Sequence, residues 1–150
     1  IPGIQAREGN YRGNATAGRR VFDVDAACAA CHSLGGPRKV GPDLSAIGGK
    51  YGKQALLDHI VRPNDAIGLE YVMTTLALRS GETISGIITE SAADRVIVTV
   101  SESAERTIAP GDIASRRASG VSLMPEGLLN GLTLQQVSDL LEFLATQTAR

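Results

Sequence analysis

Apolar positions recur along this chain with two different periods, and the change of period organises it. A short helix is expected from Asn14 or Thr16 to about Asp23, with Val21 and Phe22 as its apolar contacts. Gly18 lies inside that helix, where Gly costs on the order of 1 kcal/mol against Ala, so another helix is expected to approach closely there. Gly18 and Phe22 share one face at i, i+4. From about Lys53 to Val61, the residues Leu56, Leu57, Ile60 and Val61 form a second helical stripe, stopped by Arg62-Pro63-Asn64. Asp58 and His59 point away from that stripe. From Tyr71 the period becomes two: Val72, Thr74, Leu76 and Leu78 alternate, then Thr83 to Glu90, then Val96, Val98 and Val100. Ser80-Gly81 and Ala93-Asp94 read as turns, and a weaker strand, Glu105 to Ile108, precedes Pro110-Gly111-Asp112. The helical period returns at the end. Thr133 with Gln136 forms a capping box ahead of Val137, Leu140, Leu141 and Leu144 on one face.

The intervening stretches are punctuated rather than periodic. Gly35-Gly36-Pro37 and Gly41-Pro42-Asp43-Leu44 exclude regular helix or central strand and predict a structured loop. Ile1 to Gly13 reads as an irregular lead-in. Ile1 to Asn10 lacks both the apolar run of a secretory signal and a start residue, so a processed or excised end is expected. With 150 residues, one domain over 1–150 is expected. The composition, 43% hydrophobic and 21% charged, is that of a soluble globular chain. No segment approaches the roughly 18 unbroken apolar residues of a membrane span. A net charge of -1 provides no basic field for nucleic acid. Aromatic residues make up only 3% and Trp is absent, which leaves few large core pieces and room for a bulky buried cofactor.

The chemistry starts at the two cysteines. Cys28-Ala29-Ala30-Cys31-His32 is the C-x-x-C-H pattern of covalent haem attachment. On a helical turn, Cys28 and Cys31 are neighbours at i, i+3, so both sulfurs can form thioethers with the vinyl groups of one porphyrin while His32 reaches the iron. The competing readings are a thioredoxin-like pair, a zinc site completed by His59, or two buried thiols. The first would want a βαβ setting and the second a wider ligand spread.

At Gly18 and Phe22, at Cys28 to His32, at Gly41-Pro42-Asp43-Leu44, and at Met124 with its following helix, the chain resembles class I cytochromes c. The resemblance implies a mainly α fold with a helical haem core, over 14–70 and 119–150; the period-two segment, an antiparallel β-sheet of three or four strands over 71–118, reads as an insert that departs from the plain class I pattern. The resemblance also implies one covalent haem c, a Pro42 carbonyl that accepts from the second ring nitrogen of His32, and first and last helices that cross near Gly18 with Phe22 and Phe143 close by. For the iron's other face the candidates are Met124, Met73, His59 or an open position. Met124 is preferred, because Pro125 keeps it in an extended loop before the capped helix, where class I ligand methionines are found. The metal ligands are then His32 and Met124, and no catalytic residue is assigned.

The inserted sheet resembles the planctomycete-type haem-binding domain family, whose members look like C-terminal modules of larger secreted proteins with dehydrogenase or sugar-oxidising regions upstream. The function expected is single-electron transfer between redox partner proteins, with an upstream dehydrogenase domain among them, in the periplasm or otherwise outside the cytoplasmic membrane. The alternative is a haem-based peroxidase or gas sensor with a displaceable sixth ligand. Glu82, Glu90, Asp94, Glu102 and Glu105 give the insert a negative lean, whereas Arg38, Lys39, Lys50 and Lys53 lie in the haem half, and either patch is a candidate for steering a partner.

Overall fold

The computed structural model describes residues 12–101 and 103–149. Most of the lead-in, the end at Ile1 to Asn10 and Glu102 lie outside them. The chain divides into two compact units, one up to Asp65 and from Pro125 on, the other Ala66–Met124. The insert expected over 71–118 lies inside the second of these.

In the first unit, helix α1 (Ala15–Arg20) begins at Asn14, whose side chain accepts from Ala17 N at 2.9 Å. It runs on into a wider π-helical turn, Val21–Asp25, that buries Val21 and Phe22. Two short helices follow, α2 (Ile47–Lys50) and α3 (Lys53–Val61), and α4 (Leu134–Ala145) closes the unit. The Thr133 and Gln136 capping box is formed on both sides. Phe22, Leu57, Val137, Leu140 and Leu141 are among the side chains buried in one cluster, each contributing about 2 kcal/mol by leaving water.

The crossing of α1 on α4 depends on Gly18. A Cβ there would lie 1.9 Å from the Asp139 carbonyl oxygen, so only a bare backbone fits. The Phe22 and Phe143 rings meet beside it with centroids 5.5 Å apart. Buried Asp139 fixes the register, since its Oδ1 accepts from Asn14 N at 2.8 Å and from Gln135 Nε2 at 2.9 Å.

The second unit is an antiparallel sheet of β1 (Met73–Leu78), β2 (Thr83–Ser91), β3 (Val96–Ser101), β4 (Ala104–Ile108) and β5 (Ile113–Ala118), in the order β4-β3-β2-β1-β5. Leu76 opposite Ile84, and Val96 opposite Ile108, place alternate residues on one face, where they join Val98 in a separate buried cluster. The β2–β3 ladder slips between Ile88 and Glu90, an irregularity that bends the sheet.

Two expectations are corrected. The fold is not mainly α: it is 33% helical and 23% strand, with four α-helices and a five-stranded antiparallel sheet among the described residues. The helices are short because Gly and Pro hold much of the chain between Cys31 and Ala46 in loops, while β2 alone runs for nine residues. The sheet also exceeds the expected three or four strands. The unforeseen β5 is an edge strand in which only Ile113 is partly buried and Ala114 to Ala118 are exposed, so its sequence carries no alternation to read.

Candidate haem site

The site is built on a single tight turn. Ala27 adopts left-handed backbone (φ 53°), a conformation a non-glycine residue takes only when its surroundings enforce it. It reverses the chain into the 3₁₀ turn Cys28–Ala30. Cys31 N and His32 N both donate to the Cys28 carbonyl, at 3.1 and 2.9 Å, so His32 follows one turn after Cys28. The two cysteines are thiols, not a disulfide. Cys28 packs, with Ala29, Leu34 and Leu44, against the apolar cluster of the first unit.

His32 is oriented from the facing loop. Its Nδ1 lies 2.8 Å from the Pro42 carbonyl oxygen. A carbonyl can only accept, so Nδ1 carries the proton and donates it, and Nε2 keeps its lone pair. Gly41 N donates to the Cys31 carbonyl at 2.7 Å and Leu44 N to that of Ser33 at 2.8 Å, bracketing the contact on either side. A Cβ on Gly41 would sit 2.9 Å from the Cys31 carbonyl and 3.0 Å from the His32 ring, so glycine is what lets the two segments close.

The electrostatics favour neutral groups. Burial pulls the His32 imidazole below its ordinary value, the Pro42 bond opposes this, and the Lys39 charge adds to it. Burial pushes the Cys28 thiol up to about 11, partly offset by a backbone hydrogen bond and reinforced by Cys31 and Asp23. A thioredoxin-like pair works through a depressed thiolate, and this site does the opposite. No grouping of three or more His, Cys, Asp or Glu among the described residues is arranged to hold a bare metal ion. Two thiols one turn apart, an apolar flank and a neutral imidazole with Nε2 available do fit a haem c.

The structure thus brings Cys28, Cys31, His32 and Pro42 together. Met124 is the last residue of the other unit; it is partly buried, and its backbone N donates to Ser122 Oγ at 3.1 Å. Met73 opens β1 opposite Ile87. His59, expected on a bare polar face, is half-buried with its ring centroid 4.7 Å from that of Tyr51. Sequence reasoning missed Asp43 and Ala27. An Asp two residues before Ser45 in a Gly/Pro-rich loop is a local turn signal, but Ser33, ten residues back, leaves none. Nothing in a lone alanine announces positive φ.

A family model for cytochrome c matches residues 15–97, more than half of the chain, and the chain belongs to the cytochrome c family. The matched stretch contains Cys28 to Pro42 and ends within β3, ahead of Met124 and α4. No curated protein matches the chain. Membership implies covalently bound haem c, electron transfer through it, and redox partners to exchange with. Cytochrome c domains are usually extracytoplasmic, and no helix among the described residues is long and apolar enough to cross a membrane.

Proposed function

We propose that this chain is a mono-haem electron carrier in which Cys28 and Cys31 would form the two thioethers and His32 Nε2 and Met124 Sδ would ligate the iron. The observation that carries the reading is the His32 Nδ1 hydrogen bond to the Pro42 carbonyl at 2.8 Å, one turn after Cys28. That bond fixes the tautomer and ring plane and makes Nε2 the better electron donor, as a partner behind a metal-binding imidazole does. Haem, when bound, supplies reversible one-electron iron chemistry. The protein's part is to bind the group through both sulfurs, keep His32 neutral and oriented, and offer an apolar flank at Cys28, Ala29, Leu34 and Leu44. For Met124 the support is its chemistry and its place in the sequence: a soft thioether directly before Pro125, in the stretch that leads to the capped α4. A thioether ligand favours the ferrous state and raises the potential.

The finer reading is a single cytochrome c domain of the planctomycete type. It is supported by a sheet unit, Ala66–Met124, that interrupts the helical unit in sequence. On that reading the chain works outside the cytoplasmic membrane as a module of a larger secreted oxidoreductase, taking electrons from an upstream dehydrogenase domain. Attachment is tested by maturing the protein in a host that makes c-type cytochromes and measuring its mass after denaturation. The expected mass includes one haem, and Cys28→Ala with Cys31→Ala abolishes it. A wild-type chain that releases all its haem on denaturation would sink the proposal.

A further inference from the structure

Both oxygens of the Asp43 carboxylate, next to Pro42, accept hydrogen bonds from the loop around it. Its Oδ2 accepts from Ser33 Oγ at 2.9 Å and from Gly35 N at 2.5 Å, and its Oδ1 accepts from Ser45 N at 2.9 Å and from the Ser45 hydroxyl. Ser33 is buried and follows His32 directly. One carboxylate therefore bridges the residue after His32 and the far side of the Pro42 turn. The loop needs such a bridge. Gly35, Gly36 and Gly41 leave its backbone permissive, and Pro42 has no N–H through which its own peptide could be anchored.

We propose that Asp43 is a positioning residue for iron ligation: its carboxylate ties Ser33 to Ser45 and thereby holds the Pro42 carbonyl against His32 Nδ1. The proposal rests on ligation by His32 set out above. The Ser45 hydroxyl, the Gly35 and Ser45 amides and the Ser33 hydroxyl hold the Asp43 carboxyl well below the usual carboxylate range, so these are charge-assisted bonds at neutral pH. Losing them loosens the carbonyl, weakens the Nδ1 hydrogen bond and makes His32 a poorer donor to ferric iron. The midpoint potential then rises.

The test uses haem-loaded protein and two variants, Asp43→Ala and the double variant Ser33→Ala with Ser45→Ala, which keeps the negative charge. The readouts are the midpoint potential and hydrogen exchange of the His32 Nδ1 proton in the ferrous state by NMR, with the Leu140 and Leu141 amides of α4 as reference. Both variants are expected to raise the potential and to speed Nδ1 exchange by roughly tenfold while the reference amides stay unchanged. An unchanged potential and exchange in the serine double variant overturns the proposal even where Asp43→Ala fails to fold. So does acceleration of Leu140 and Leu141 by the same factor, because the effect is then general loosening. A chain that carries no thioether-bound haem overturns the His32 reading and this proposal together, whereas a haem-loaded but insensitive pair of variants overturns this proposal alone.

Discussion

At the scale of single residues, the site works by removing choices. The Pro42 carbonyl dictates which nitrogen of His32 is protonated, burial keeps that ring neutral, and burial likewise keeps the Cys28 thiol protonated. Asp43 is the contrasting case, an exposed carboxylate held ionised by the donors around it. Its folded-state pKa is depressed, so its contribution to stability is complete above its unfolded value and is lost as pH falls toward the folded one. The difference in Tm between wild type and Asp43→Ala is therefore expected to be constant from neutral pH down to about pH 4 and to shrink below it. Thermal melts across that range check the sign; a difference that grows on acidification contradicts it. The Cys28 to His32 turn was legible in the sequence because its geometry is local. Asp43 was not, because its meaning depends on Ser33 coming back across a ten-residue loop.

At the scale of elements, a close approach by another helix was legible from Gly18, that this helix is α4 came from the resemblance, and the capping box at Thr133 was legible from a four-residue pattern. Gly18→Ala is expected to cost about 3 kcal/mol, since its Cβ would overlap the Asp139 backbone and the helices must part to admit it. Denaturant melts measure this, and a loss under about 1 kcal/mol would mean that the contact yields without strain. The balance of helix and strand was not legible. β5 pairs with β1 through its backbone, and an edge strand rich in Ser and Arg shows its partner no side-chain pattern that a sequence could display. The mainly α expectation failed there, and in a helical unit where loops take the place of longer helices.

At the scale of the whole molecule, some of the charges named in the sequence are paired within the chain. Glu82 pairs with Arg106, Glu90 with Arg95, and Lys53 with Glu142, while Lys39 donates to the Ala29 carbonyl. Glu82 and Glu90 on the sheet and Lys53 in the haem half each sit beside an opposite charge. Such exposed pairs add little stability, but they flatten the field that a partner meets. Electron exchange with a charged redox protein is therefore expected to change by less than about tenfold between low salt and roughly 0.2 M. A steeper slope in stopped-flow measurements restores a steering patch. The central claim, one haem held by Cys28 and Cys31 with His32 and Met124 on its iron, is tested most directly by the absorption spectrum of the ferric protein. The expected result is the weak far-red band of sulfur-to-iron charge transfer in wild type and its loss in Met124→Ala, with carbon monoxide binding the ferrous form of the variant alone. A wild-type spectrum without that band, together with ready carbon monoxide binding, contradicts the claim and points to a haem with an open or displaceable ligand position.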